Sequence, residues 1–207
     1  MSSSRHIWHN PLIYLFAFTS GFSIMTVELL GGRILAPYFG SSVHIWGSII
    51  TVFMLSLSIG YLLGGKLSTK HVSLARYGYI FAIAGITVLP VGLFAEPILE
   101  AIFLAIEDTR YGSLVASIAL FFIPTIILGM ISPYSVRLLV ANKQNSGQVA
   151  GVLYFVSTLG SALGTLFTSF YFVLLFEVNT IIISVCSILI IFGLIAILMN
   201  KWEVDYD

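Results

Sequence analysis

The 207 residues are 58% hydrophobic and only 9% charged, whereas soluble domains carry about 25% charged residues. A water-soluble fold of this length leaves most of its residues in contact with solvent, so the composition predicts an integral membrane protein. Nine basic and nine acidic residues cancel, which excludes a general nucleic-acid binder, because such a protein needs an excess of cations against phosphate. The one cysteine, Cys186, excludes an intrachain disulfide and a thiolate zinc cluster.

Six apolar stretches are long enough to cross a bilayer, which takes about 20 residues. The fifth is overlong, so we expect it to tilt or bend. The first is about twice as long as the apolar core of a signal peptide, so we interpret it as a retained span. The sequence therefore predicts one all-α polytopic domain over residues 1–207. Its six transmembrane helices are expected at about 11–32, 45–65, 77–95, 113–132, 149–175 and 178–199.

The basic residues indicate an orientation. Seven fall on the side that holds the N-terminus: Arg5, Lys66, Lys70, Arg76, Arg137, Lys143 and Lys201. Only Arg33 and Arg110 fall on the other side. Because Lys and Arg accumulate in cytoplasmic loops, we expect both termini in the cytoplasm. We also expect the membrane to be a prokaryotic plasma (inner) membrane.

The segment between the third and fourth spans is amphipathic. Apolar residues recur at helical spacing from Ile98 to Ile106, and Pro97 suits the first position of a helix. This pattern predicts a short helix over about 97–110 that lies in the outer interface of the membrane, either as a packed connector or as a lid.

Glycines suggest an internal repeat. Gly47, Gly60 and Gly64 recur 100 residues later as Gly147, Gly160 and Gly164, and Ala36-Pro37-Tyr38 is echoed 96 residues later by Ser132-Pro133-Tyr134. Because each unit holds three spans, the second unit enters the membrane from the opposite side. The pattern predicts an inverted 3+3 repeat like that within half of a major facilitator transporter.

The same glycines predict where helices pack. Gly60 and Gly64 form a small-residue stripe on span two, and Gly160 and Gly164 form one on span five. Such stripes let helix backbones approach closely in lipid. They are either ordinary packing seams or, in the sharper interpretation, the place where spans two and five cross.

Glu28 lies within span one, where a carboxylate costs about 2–3 kcal/mol unless it is neutralised, hydrated or paired. Arg33 is the natural partner, and a helix break at Gly31-Gly32 would bring the two together. Three interpretations remain: an ion pair that pins the first hairpin, a ligand or proton site facing a cavity, or a side chain reaching the lipid edge.

Four further residues are ligand or ion-pair candidates. Tyr38 and His44 lie at the mouth between spans one and two, Arg137 is typical of a topology anchor, and Glu177 is typical of an exposed turn. The histidines have no metal-ligand spacing, and no nucleophile elbow or phosphate-binding loop occurs. We therefore name no catalytic residue, metal or cofactor.

Three segments carry a family resemblance. They are ELLGGRILAPYFGSSVHIWGSIITVFMLSLSIGYLLGGKL (Glu28 to Leu67), SPYSVRLL (Ser132 to Leu139) and AGVLYFVSTLGSALGTLFTSFY (Ala150 to Tyr171). They resemble the membrane-bound spermidine synthase-like proteins. In those proteins a multi-span, transporter-like domain precedes a soluble aminopropyltransferase-like domain.

The resemblance implies a partner rather than an activity. The soluble catalytic domain is absent from these 207 residues, so we do not expect the chain to be an enzyme on its own. We expect a membrane subunit that anchors or serves a separately encoded synthase-like protein. The expected docking surface comprises loops 66–76 and 138–147 and the tail 202–207. The alternatives are a small transporter or exporter of a polyamine or related amine, and a structural subunit of a larger homo- or hetero-oligomeric membrane complex.

The orientation predicts which engineered cysteines react with a membrane-impermeant reagent. Thr109→Cys should be labelled in intact cells, and Ser4→Cys should be labelled only after the cells are opened, because the basic residues hold the N-terminus inside. Labelling of Ser4→Cys in intact cells would contradict the orientation.

Overall fold

The computed structural model describes residues 6–69, 72–140 and 146–204, and these contain helices and no strand. The helices are α1 (His6–Phe39), α2 (Val43–Leu67), α3 (Leu74–Ala105), α4 (Thr109–Leu139), α5 (Ser146–Phe167), a π turn (Thr168–Phe172), α6 (Val173–Leu175) and α7 (Val178–Val204). We call the side of the bundle where α1 begins the N-side and the opposite side the far side.

Six helices are long and apolar enough to cross a membrane, which confirms the predicted fold class. The fifth comprises α5, the π turn and α6 and runs for 30 residues. At 1.5 Å per residue it is about 45 Å long, longer than the roughly 30 Å hydrocarbon core. The π turn near its far end is a local departure from regular α-helix.

The separate interfacial helix predicted over 97–110 is wrong. Helix α3 continues through Pro97 to Ala105, and α4 begins at Thr109. Part of the apolar face of this segment contacts the end of α1: the Phe103 ring lies 6.0 Å from Phe39 and 6.2 Å from Tyr38. The end of α1 thus packs against part of this face, while Phe103 remains 44% exposed.

Aromatic rings fill the centre of the N-side half. The rings of Tyr77 (α3) and Tyr134 (α4) stack with centroids 5.8 Å apart, and Phe16 (α1) meets Tyr77 edge-on at 5.5 Å. The Tyr77 hydroxyl and Ser135 Oγ share a hydrogen bond of 2.6 Å. Because buried polar groups cost free energy unless they are hydrogen-bonded, this contact fixes α3 against α4.

Glycine lets two pairs of helices pack backbone against backbone. A Cβ at Gly60 would collide with the carbonyl oxygen of Ile126 on α4, and a Cβ at Gly160 would collide with that of Phe18 on α1. Helix α2 therefore packs on α4 and α5 packs on α1, while α3 pairs with α7. The predicted crossing of spans two and five is wrong, because a small-residue stripe accepts the backbone of any helix and does not select another stripe.

The two glycine seams are related by exchange of the units. If α1 is exchanged with α4 and α2 with α5, the α2–α4 pair becomes the α5–α1 pair. An inverted repeat produces this kind of packing. Phe18 and Ile126 are equivalent in this exchange, and they are 108 residues apart. The Ala36-Pro37-Tyr38 echo, displaced by 96 residues, does not follow this register.

Replacing glycine by alanine should change the free energy of unfolding in opposite directions at two kinds of position: glycines packed against another helix, and glycines with no neighbouring atom. Gly60→Ala and Gly160→Ala should each lower the free energy of unfolding by about 1–3 kcal/mol because a backbone must shift. Gly47→Ala and Gly151→Ala are the controls, since no atom lies within 4 Å of the added Cβ. They should stabilise the helices by about 0.5–1 kcal/mol. Equilibrium unfolding in mixed detergent micelles measures all four.

Combining the two seam variants tests whether Gly60 and Gly160 lie in two separate helix contacts or in one shared contact. Because Gly60 and Gly160 pack on different helices, the effects of Gly60→Ala and Gly160→Ala should add within about 0.5 kcal/mol. Strong coupling would instead place spans two and five against each other.

Candidate functional site

Helices α1, α2, α4 and α5 surround a cavity of about 390 Å³, which we call the central cavity. It lies in the N-side half of the membrane, since Ser20 to Met25 of α1 form one wall. Its lining residues are Ser20, Gly21, Ile24, Met25, Leu57, Tyr61, Leu128, Ser132, Pro133, Tyr154, Ser157, Thr158 and Ser161.

Hydroxyl groups give the central cavity its chemistry. Gly21 lets Ser157 of α5 approach α1, and Ser161 Oγ donates a 3.2 Å hydrogen bond to the Gly21 carbonyl oxygen. The hydroxyls of Tyr61 and Tyr154 have no hydrogen-bond partner within the described ranges. The cavity can therefore offer donors and acceptors to a polar ligand in a largely apolar surrounding.

Glu28 lies one helical turn beyond the central cavity, towards the far side. Four residues that share one face of α1, at spacings of four, three and four, are Gly21, Met25, Glu28 and Gly32. The Glu28 side chain is half-buried, and it has neither a hydrogen bond nor an ion pair with any residue that the structure describes. This carboxylate is thus uncompensated at membrane depth.

The predicted helix break at Gly31-Gly32 is wrong, because α1 is continuous from His6 to Phe39. The two glycines serve close packing instead: Gly31 faces the ring of Phe121 on α4, and Gly32 faces the ring of Trp46 on α2. Aromatic side chains therefore fill the space directly beyond Glu28.

The structure also separates Glu28 from Arg33. Five residues of continuous helix turn through about 500°, so the two side chains leave α1 about 140° apart. Arg33 is exposed and Glu28 is half-buried, and the described residues contain no ion pair between them. The interpretation of a pair that pins the first hairpin is therefore not supported by the geometry.

Arg33 and Tyr38 lie away from the central cavity. They line a cavity of about 230 Å³ between the far-side ends of α1 and α3 and the start of α7, which we call the far-side groove. Glu96 of α3 lines it too, and the Tyr38 hydroxyl donates a long hydrogen bond of 3.5 Å to the Glu96 carbonyl oxygen.

The remaining predicted residues do not join either cavity. His44 is exposed near Arg110, in a shallow cleft between the starts of α2 and α4. Arg137 is exposed in the last turn of α4, and Glu177 is exposed in the turn before α7. Together with Glu28, Arg33 and Tyr38 they are distributed over several places, so the six candidates do not form one site.

Asp108 caps α4 at the far side. Its carboxylate accepts a hydrogen bond of 2.6 Å from the Arg110 guanidinium and one of 2.9 Å from the Arg110 backbone N–H. The side-chain hydrogen bond is the main cause that lowers the pKa of Asp108 to about 2, and the backbone bond adds to it. The cap is therefore formed above the ordinary carboxyl pKa of about 3.9 and is lost as the pH falls towards 2.

The central cavity was not predicted from the sequence. A signal did exist on α5, where Tyr154, Ser157, Thr158 and Ser161 recur at helical spacing. The other walls come from three further helices, and no single segment marks them. Within the described ranges, no cluster of three or more His, Cys, Asp or Glu residues could hold a metal ion.

No family model matches this chain, and no curated protein or solved structure shows significant similarity to it.

Stability measurements should show that Glu28 and Arg33 act independently. Glu28→Gln should leave the free energy of unfolding unchanged or raise it, because it removes a charge from membrane depth. Combining it with Arg33→Gln should give additive effects within about 0.5 kcal/mol. A loss in Glu28→Gln that Arg33→Gln restores would contradict this arrangement and support an ion pair.

Proposed function

We propose that this integral membrane protein binds a small organic amine in the central cavity and that Glu28 is the counter-charge of the bound ammonium group. The observation that supports the proposal most directly is the half-buried Glu28 carboxylate, which has no partner among the described residues and lies one turn from the cavity. Because an unpaired carboxylate in a span costs about 2–3 kcal/mol, a bound cation would offset that cost.

The cavity suits such a ligand. Its volume of about 390 Å³ falls within the roughly 300–1,000 Å³ of small-molecule sites. The hydroxyl oxygens of Ser157 and Ser161, and the free hydroxyls of Tyr61 and Tyr154, can accept hydrogen bonds from ammonium groups. A polyamine, with several ammonium groups on an apolar chain, matches this mixture of hydroxyl and apolar lining.

The same geometry favours transport or delivery of the amine. Phe121 is fully buried and packs on Gly31, just beyond Glu28. In the orientation that the basic residues predict, the far side is the outside, so the cavity would be closed outwards. A site between the two predicted inverted units that is closed on one side would have the arrangement on which alternating access depends.

The membrane subunit of a synthase-like enzyme is the second candidate, and the family resemblance favours it. One contact supports a common surface for the two expected docking loops. The Tyr134 hydroxyl lies 3.2 Å from the backbone nitrogen and 3.3 Å from the carbonyl oxygen of Ser73, which ties the start of α3 to the last turns of α4. Residues 70, 71, 141–145 and 205–207 of the proposed surface lie outside the described residues.

The two candidates are compatible, because a membrane subunit that binds an amine could deliver it to a soluble synthase. The third prediction, a structural subunit of a larger complex, remains a prediction.

Equilibrium binding of radiolabelled spermidine to the protein in nanodiscs tests the proposal. Glu28→Gln should weaken binding about tenfold or more, which corresponds to 1.4 kcal/mol, because the ammonium loses its counter-charge. Glu28→Asp should retain most of the affinity. Glu177→Gln is the matched control, since it removes an exposed carboxylate from a turn. Equal affinities of Glu28→Gln and Glu177→Gln would overturn the proposal.

A further inference from the structure

The far-side groove holds a cation and an anion that do not neutralise each other. Arg33 and Glu96 both line this cavity of about 230 Å³, and both residues are exposed. Neither makes an ion pair or a side-chain hydrogen bond with any residue in the described part of the chain. Residues of opposite charge therefore line one small space, and their charged groups remain beyond the roughly 4 Å of a contact ion pair.

The groove lies level with the turn that precedes α7, where we expect a membrane surface. Helix α7 begins at Val178, which lines the groove, and the exposed Glu177 precedes it. Helix α1 continues for six residues beyond Arg33, about 9 Å at 1.5 Å per residue. Arg33 and Glu96 thus lie near the level of the turn between span five and α7. Helices α1 and α3 extend further towards the far side.

The walls of the groove are of two kinds. Ile34, Leu93 and Leu99 make part of it apolar, as the start of an acyl chain requires. Val178 and Asn179 belong to the first turn of α7, whose backbone N–H groups and helix dipole favour an anion. Val178 and Asn179 line the same groove as Arg33, whose guanidinium can bind phosphate in bidentate geometry.

We propose that the far-side groove binds a zwitterion, with its phosphate at Arg33 and its primary ammonium at Glu96, and that the source is the headgroup of an ethanolamine phospholipid. An anion alone would leave Glu96 uncompensated, and a cation alone would leave Arg33 uncompensated. A zwitterion compensates both. A choline headgroup has no N–H to donate to Glu96, so the site discriminates between the two zwitterionic lipids. This site is separate from Glu28 and does not depend on the proposed function.

Lipid retention by the purified protein tests the proposal. The protein is reconstituted in nanodiscs with equal amounts of ethanolamine, choline and glycerol phospholipids, and the retained lipids are counted by native mass spectrometry after release. Wild type should retain the ethanolamine lipid about threefold over the other two, a modest factor because exposed charge pairs contribute little.

Two variants separate the two contacts. Arg33→Gln should reduce retention of all three lipids, because each carries a phosphate. Glu96→Gln should abolish the preference for ethanolamine over both glycerol and choline headgroups, while the retention that depends on the phosphate persists. Glu100→Gln is the matched control, since it removes an exposed carboxylate one turn further along α3 that does not line the groove.

Free phosphoethanolamine distinguishes the two sources of this chemistry. Suppose that it binds to delipidated protein, that both Arg33→Gln and Glu96→Gln abolish this binding, and that nanodiscs show no lipid preference. The far-side groove then binds a zwitterion, but the natural ligand is soluble and is not a lipid headgroup. Equal retention of all three lipids together with no binding of phosphoethanolamine overturns the proposal. So does a change in Glu100→Gln as large as that in Glu96→Gln.

Discussion

Backbone contact at glycine is the constraint on which the rest of this bundle depends. Lipid offers apolar side chains the same surroundings as another helix does, so helices associate where their backbones can approach closely. Gly60 and Gly64 provide that approach for α2 on α4, and Gly160 and Gly164 provide it for α5 on α1. These two seams hold α1 and α4 between the outer helices and leave the central cavity where all four meet.

The six spans could be predicted because length and apolar composition are properties of a single segment. Helix pairing could not, since nothing in the stripe at Gly60 and Gly64 identifies α4 as its partner. The same limit explains the two local errors. The sequence of an apolar face such as that around Phe103 is the same whether lipid or the end of α1 contacts it. The Gly31-Gly32 pair predicts a helix break, although in the structure the rings of neighbouring helices pack against it.

Some residues of the candidate sites could be identified from the sequence, and others only from the fold. Glu28 could be identified from the sequence because a carboxylate within a span is expensive wherever its neighbours lie. Arg33 was identified too, but with the wrong neighbour, since its groove is completed by Glu96 from α3 and by the start of α7. Residues that line one space from four helices, such as Tyr61 and Ser157, become a site only after the seams have set the helix positions.

The π turn at Thr168–Phe172 has a geometric consequence for the seam between α5 and α1. Contacts spaced by four residues advance about 40° around an α-helix at each step, so the row Gly160, Gly164, Thr168 drifts away from its partner. A wider turn, with hydrogen bonds to the fifth residue, rotates the chain less per residue and cancels that drift. Thr168 still reaches Thr26 with a 3.0 Å hydrogen bond, and the Phe172 ring lies 6.2 Å from Phe22. The π turn thus lets the far-side end of span five stay in contact with α1.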